Sequence, residues 1–241
     1  MKMNLVMPMA GLGSRFRDAG YSLPKPLIPV MGKPMYAWAT DSLPLDHAAQ
    51  LIFILLESQP EFADLKADIL QRYAKYEPVV LGVPHLTRGQ SDTVLAAKAW
   101  IDNDAPLLIH NADTAYEIDG AWLQDLESSQ PVGALLVFES HENRWSFSRV
   151  NELGRVVEVR EKEPISCWAS TGTYYFSRGS DFVRLAERRI VGHQVESGEF
   201  YVAPLYNDLI AEGGHVKNYR IEKLLCFGTP ADLAKSLLLI E

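Results

Sequence analysis

Residues 4–34 read NLVMPMAGLGSRFRDAGYSLPKPLIPVMGKP. The stretch opens on a short apolar run, 4–9, halted by Ala10 and Gly11, the pattern of a buried parallel strand running into a loop. No helix is expected from Ser14 to Pro29, because prolines at 24, 26 and 29 remove donors and favour extended backbone. Helical spacing resumes near Met35.

Further along, apolar runs at 51–56, 79–83 and 107–110 alternate with helical patterns at 61–76 and 92–101, as parallel strands joined by crossover helices do. The run at 107–110 stops at Asn111, Ala112 and Asp113, and strand ends of this kind line ligand crevices. After the run at 132–138, two short segments, 147–150 and 156–160, flank a glycine-containing turn and read as a small hairpin insertion over the sheet. Strands are then expected at 172–176 and 216–221, with helices at 181–190 and 204–211. A closing helix is capped by Thr229, with Pro230 at its first position and Asp232 complementing its dipole. The expected fold is α/β: a single doubly wound, mostly parallel sheet in one domain spanning residues 1–241.

Apolar residues make up 47% of the chain and charged residues 22%, which excludes disorder. The formal net charge of −8 argues against nucleic acid as a partner, so any phosphate must be bound by a local cluster of cations. Two distant cysteines, Cys167 and Cys226, make no disulfide framework and suit a reducing cytoplasm. No membrane partner is expected, since residues 5–9 are too short for a signal segment and no apolar run approaches a membrane span.

The chemistry is concentrated in the loop. Gly11 and Gly13 let backbone N–H groups approach a phosphate, and Arg15 and Lys25 supply charge for its oxygens, although a tight turn accounts for paired glycines equally well. A dinucleotide fingerprint fails here, because Phe16 stands where a small residue is needed and the nearest strand-end acid, Glu57, comes too late. A Walker loop fails as well, since Lys33 is followed by Pro34 rather than Ser or Thr. The histidines have no zinc spacing, and no serine sits in a nucleophile elbow.

The run 9–34, MAGLGSRFRDAGYSLPKPLIPVMGKP, resembles the N-terminal signature of the sugar-phosphate nucleotidyltransferases, a glycine-rich loop with arginine followed by Pro-Lys-Pro. Residues 89–96 resemble that family's base-binding loop, and 111–113 its strand-end metal aspartate. Glu161 and Lys162 resemble its Glu-Lys pair, Thr171 and Gly172 its sugar-contacting segment, and residues 228–230 its closing Gly-Thr-Pro. The resemblance implies a Rossmann-like nucleotide-diphospho-sugar transferase fold and Mg²⁺ as cofactor. It further implies that Ala10, Gly11, Leu12, Gly13, Ser14 and Arg15 hold the triphosphate, with Lys25 bridging it. Gly89, Gln90 and Asn111 would lie beside the nucleotide, and Asp113 would hold the metal. Glu161, Lys162, Thr171 and Gly172 would face the acceptor, with Lys162 on its phosphate.

One departure stands out. Relatives usually place a second metal aspartate two residues before the closing Gly-Thr, and Cys226 stands there instead; a neutral thiol suits Mg²⁺ poorly. Either the metal relies on Asp113, the NTP phosphates and water, or another carboxylate, such as Glu199 or Asp208, substitutes. Met9-Ala10 before Gly11 resembles a branch associated with capsule and surface-polysaccharide products, some of which act on acceptors other than sugars.

Each residue also has a plainer reading. Asp113 caps a loop, Lys162 lies on an exposed hairpin face, Gln90 starts a helix, and Phe200, Tyr201 and Tyr206, which follow Glu199, either line the acceptor pocket or pack in the core. The expected activity is transfer of a nucleotidyl group from an NTP, with a pyrimidine (CTP before UTP or dTTP) favoured by the resemblance, to a phosphorylated small molecule such as a sugar 1-phosphate. Pyrophosphate is released. The alternatives are a glycosyltransferase of similar fold, which the lone acid in 111–113 disfavours, and an inactive nucleotide-binding regulatory subunit, which the change at Cys226 brings into view. Association into an oligomer stays open.

Overall fold

The computed structural model describes residues 1–240. Strand β1 (Met3–Met9) runs into a short helix α1 (Ser14–Asp18), a 3-10 turn at Lys25–Leu27, and a clasp of β2 (Pro29–Val30) with β3 (Lys33–Pro34). Next come α2 (Met35–Asp41), β4 (Ala48–Leu56), α3 (Phe62–Arg72) and β5 (Val79–Val83). They are followed by α4 (Gln90–Leu95), α5 (Lys98–Ile101), β6 (Leu107–His110), β7 (Thr114–Glu117) and α6 (Ala121–Ser129). The second half adds β8 (Gly133–Glu139), β9 (Ser146–Val150), β10 (Val156–Glu161), β11 (Trp168–Phe176) and α7 (Gly179–Val191). The chain ends with α8 (Leu205–Ala211), β12 (Val216–Arg220), β13 (Lys223–Cys226) and α9 (Pro230–Leu237).

Nine strands form one sheet, with β10-β9-β11-β6-β1-β4-β5 as its main path and β8 and β12 joined through the other edge of β11. β5, β4, β1 and β6 are mutually parallel, and β8, β12 and β9 point the same way; β11 and β10 run against them. Alternate residues of each central strand are buried on opposite faces. Val6, Ile52, Ile54 and Ile109 face a core closed by α4, α5, α7 and α8, whereas Leu5, Met7, Phe53 and Leu108 face one closed by α2, α3 and α6. A third, smaller core of Phe16, Ile28, Met35, Leu225, Phe227 and Leu233 ties the loop after β1 to β13 and α9.

Pro8 sits in a central strand, where proline is normally excluded. Asn4 donates its N–H to the Pro106 carbonyl at 2.8 Å, so by strand alternation residue 8 faces the same side, and β6 pairs β1 only over Asn4 to Val6. The missing donor therefore falls where β1 outruns its neighbour and the sheet edge opens.

Three expectations differ from the structure. The hairpin is not laid over the sheet: β9 and β10 extend it, because Phe147 pairs Ala169 of β11 beyond the end of β6. The loop after β1 contains α1, since its first proline comes only at 24 and the preceding N–H groups are free to bond. The helical stretch 92–101 breaks at Ala96 and Ala97, where bonds to Thr93 and Val94 tighten the turn. The antiparallel pair β7 and β13 was not anticipated, each strand being four residues long.

Tyr206 belongs to the core rather than to a pocket: it is fully buried, stacked on Phe176, with its hydroxyl 2.9 Å from the carbonyls of Ala134 and Tyr175. A Cβ added at Gly133 would lie 2.6 Å from its ring. Because the hydroxyl is pinned, the ring has nowhere to go, and Gly133→Ala is expected to destabilise the protein by about 1–3 kcal/mol. A urea denaturation midpoint unchanged by that substitution would show that the ring moves freely.

Candidate functional site

A cleft of about 580 Å³ opens beyond the ends of β1 and β6. Pro8, Met9, Ala10, Gly11, Gly13, Arg15 and Lys25 form one wall, and Gly89, Gln90, Asn111 and Asp113 the floor. Glu161, Lys162, Gly172, Glu199 and Tyr201 form the far end. Segments separated by more than a hundred residues thus converge on one crevice.

Three of the expected residues stand off this wall. Leu12 is 47% exposed at the loop tip, Ser14 is exposed at the start of α1, and Thr171 is fully buried, its hydroxyl 3.2 Å from the Leu136 carbonyl and 2.9 Å from Thr173 Oγ1. Asp208, a candidate metal ligand, is instead ion-paired to Arg189 at 2.6 Å and Arg188 at 3.3 Å, on a helix outside the cleft. Phe200 is buried with its backbone against Gly89.

Lys25 holds the junction of the near wall and the floor. Pro24 and Pro26 set the 3-10 turn that carries it, and its ammonium is ion-paired to Asp113 Oδ2 and lies 3.4 Å from the Gly228 carbonyl. Gly13 has φ +59, and a Cβ there would lie 2.8 Å from Lys25 Cβ, so the loop folds back onto Lys25 only with glycine at this position. Burial opposes ionisation of Asp113, but the Lys25 charge and hydrogen bond outweigh it and hold the carboxyl below its ordinary range. Beside it, burial and then the Asp113 charge push the Cys226 thiol up to about 12, so it is neutral at working pH and neither nucleophile nor ligand for a hard cation.

The floor is set by hydrogen bonds to β6 and β11. Gln90 donates to Asn111 Oδ1 at 2.5 Å, and the Asn111 N–H donates to the Gly172 carbonyl at 3.2 Å. Gly172 has φ +83, and a Cβ on it would lie 2.0 Å from Asn111 Nδ2, so a side chain there would displace Asn111. Beneath them His110 is wholly buried. Its Nε2 donates to the Thr114 carbonyl at 2.6 Å and its Nδ1 accepts from Thr173 at 2.8 Å, fixing the turn that carries Asp113.

At the far end, the Lys162 backbone is in the left-handed region at φ +58, and its N–H donates to the Trp145 carbonyl at 2.9 Å. Its ammonium donates to the Tyr201 hydroxyl at 2.6 Å, which raises its pKa. Glu161 accepts from Ser146, and burial raises its carboxyl above the ordinary range. Arg144, Trp145 and Ser146 also line the cleft, and no local pattern in the sequence singles them out. Among the described residues no group of three or more His, Cys, Asp or Glu side chains is placed to hold a metal ion.

The cleft can therefore receive an extended polyanion: Arg15, Lys25, Arg144 and Lys162 line it in a chain of net charge −8. It offers no activated nucleophile and no free histidine base.

Residues 5–194 match the nucleotidyl transferase family. The chain belongs to that family. It is 26% identical over 244 residues to the UTP–glucose-1-phosphate uridylyltransferase AglF of Haloferax volcanii, covering 95% of this chain and 93% of that protein. It is also 26% identical over 184 residues to the bifunctional protein GlmU of Methanocaldococcus jannaschii, covering 73% of this chain; that match spans only 40% of the longer relative. Among solved structures, the nucleoside-diphosphate-sugar pyrophosphorylase of Vibrio cholerae RC9 superposes with a TM-score of 0.83 at 28% identity, over 97% of this chain and 99% of that one.

His110 gives the site a pH signature. Burial holds its pKa down at about 4, against 6.5 when unfolded, so between these values the unfolded chain binds more protons and the fold loses stability as pH falls. This contribution is full above pH 6.5 and declines by about 3 kcal/mol toward pH 4. His110→Gln, which does not titrate there, is expected to lose less stability than the parent between pH 7 and 4.5 in urea melts; parallel losses would show that the ring titrates normally.

Proposed function

We propose that the chain transfers a nucleotidyl group from a pyrimidine NTP to a sugar 1-phosphate and releases pyrophosphate. The observation that carries this reading is the Lys25–Asp113 pair at the foot of a cleft with cations along both ends. Family membership and the named activity of AglF, which pairs UTP with glucose 1-phosphate, support it.

In this reading an oxygen of the acceptor phosphate attacks the α-phosphorus of the NTP. The new P–O bond forms as the bond from the α-phosphorus to the bridging oxygen breaks, and that oxygen leaves with its electron pair on pyrophosphate. A phosphate monoester has a second pKa of about 6, so it is mostly dianionic at neutral pH and needs no general base. The chain's work is positioning and charge neutralisation. Gly11, Gly13 and Arg15 receive the outer phosphates, Lys25 neutralises charge developing on the α-phosphoryl, and Gly89 and Gln90 flank the base. Lys162 orients the acceptor phosphate, while Glu161, Gly172 and Tyr201 face its body.

The donor set suits Mg²⁺: one carboxylate in a cleft shaped for phosphates is how that ion is usually held, the substrate supplying further oxygens. Asp113 would hold it together with the NTP phosphates, and the ion would supply charge neutralisation. The thiol at Cys226 adds no ligand. The branch making precursors of surface polysaccharide in the cytoplasm is the setting we favour, on the Met9-Ala10 variant of the loop.

The test is a matrix of CTP, UTP, dTTP, ATP and GTP against sugar 1-phosphates, polyol phosphates and phosphocholine, read by pyrophosphate release with Mg²⁺. Release is expected with a pyrimidine NTP and a sugar 1-phosphate; no release with any pair would refute the activity. With the productive pair, Lys25→Ala and Asp113→Ala are each expected to lose on the order of 10²-fold to 10³-fold in turnover. Near-normal rates in either folded variant would remove that residue from the machinery.

A further inference from the structure

Between the Lys25–Asp113 pair and the Lys162–Tyr201 pair the cleft wall is built from a continuous series of contacts. A Cβ on Gly228, whose carbonyl faces Lys25, would lie 3.5 Å from Cys226 Sγ and 3.4 Å from Asp232 Oδ2. Asp232 accepts from Arg144 Nη1 at 2.6 Å, Arg144 is followed by Trp145, and the Trp145 carbonyl accepts the Lys162 N–H. Arg144 thus occupies the middle of the wall, between the end assigned to the triphosphate and the end assigned to the acceptor.

Its side chain is held for presentation. The guanidinium lies over the Trp145 ring, 4.4 Å from ring centroid to Cζ, and its Nε donates to Glu142 at 2.7 Å. Nη2 has no hydrogen-bond partner among the described residues, and the side chain is 36% exposed on the cleft wall. Asp232 does not need Arg144 for its place in α9: it also accepts from the Thr229 hydroxyl at 2.7 Å, and its own N–H donates to that oxygen at 3.1 Å. Among Cys226, Gly228, Asp232 and Trp145, Arg144 is the cation of this stretch of wall.

We propose that Arg144 binds the acceptor's phosphate, its unpartnered Nη2 and the Lys162 ammonium gripping that group from the two sides of Trp145. This rests on the nucleotidyl-transfer reading. A planar guanidinium stacked on an aromatic ring and pinned at two nitrogens holds its remaining Nη2 N–H groups in a fixed direction toward a phosphate oxygen, which a flexible ammonium does not. Arg144 thereby sets the acceptor oxygen toward the α-phosphorus, and it selects acceptors that end in a phosphate.

Arg144→Met alone strands a buried carboxylate, so the informative variant is Arg144→Met with Asp232→Asn, compared with Asp232→Asn alone. Inorganic phosphate, titrated calorimetrically into the intact chain without Mg²⁺, reports binding without turnover. The double variant is expected to bind phosphate roughly 10-fold to 100-fold more weakly than Asp232→Asn, the range for losing a charged hydrogen bond. With the productive pair, the KM for the acceptor is expected to rise by a similar factor while that for the NTP stays within twofold. Arg220→Met, an exposed charge away from the cleft, serves as the control and is expected to change neither.

Equal phosphate affinity in the double and single variants would make Arg144 a mere counter-ion and overturn the proposal. So would a wild type that binds no phosphate, or a rise confined to the KM for the NTP. If no pair releases pyrophosphate yet the double variant still loses phosphate, the transfer reading falls and the anion seat at Arg144 stands.

Discussion

Everything in the cleft is arranged around one ion pair, Lys25 to Asp113. Each partner arrives on a different piece of chain: Lys25 on a proline-bounded turn after β1, Asp113 at the end of β6. The third piece is closed by backbone, as the Phe227 N–H donates to the Asp113 carbonyl at 2.7 Å and the Gly228 carbonyl faces Lys25. Neither charge is more than 29% exposed, and a half-buried charge is tolerable only when its partner is in place. The small core of Phe16, Ile28 and Phe227 supplies the packing that holds the three pieces at the right separation.

The same pair explains how an acidic protein handles phosphate. A net charge of −8 repels a polyanion at long range, so attraction must come from cations inside a cleft with low-dielectric walls, where their fields are least screened. His110 and Cys226 lie beside Asp113, and burial keeps both neutral, so neither adds charge to this end of the cleft. Such a site suits a reaction whose nucleophile is already ionised and whose barrier lies in bringing anions together.

The parallel half of the fold was legible because buried central strands are uniformly apolar and their helices keep a 3.6-residue period; 79–83 coincides with β5, while 4–9 and 51–56 fall within β1 and β4, whose first residues precede the apolar run. The hairpin strands were visible too, but their place at the sheet edge was not, since local alternation says nothing of which long-range partner a strand finds. Gly13 and Gly172 stand where a positive φ and a close neighbour demand glycine, and a motif can reveal that much. Thr171 shows the limit. It is next to Gly172 in sequence, yet strand alternation turns its side chain into the core. Arg144 went unread for the opposite reason, since its meaning depends on Asp232, 88 positions away.

The two ends of the cleft are also less separate than their motifs imply. The Phe200 N–H donates to the Arg88 carbonyl at 3.0 Å, and the Ser91 N–H donates to the Phe200 carbonyl at 2.9 Å. Ser91 Oγ reaches the Tyr201 carbonyl at 2.8 Å. Gly89 lies between these bonds at φ +139, and a Cβ there would sit 2.5 Å from Phe200 N, so the segments meet backbone to backbone with no room for a side chain. A glycine that a motif places beside the base thus also fixes the segment bearing Tyr201, the hydrogen-bond partner of Lys162. A shift of the loop at 88–91 carries Phe200, and with it the neighbouring Tyr201, because the bonds joining the loop to Phe200 are main-chain and cannot be relaxed by a rotamer change. In the proposed reading, the separation of the two phosphates is therefore set by backbone geometry rather than by side-chain reach.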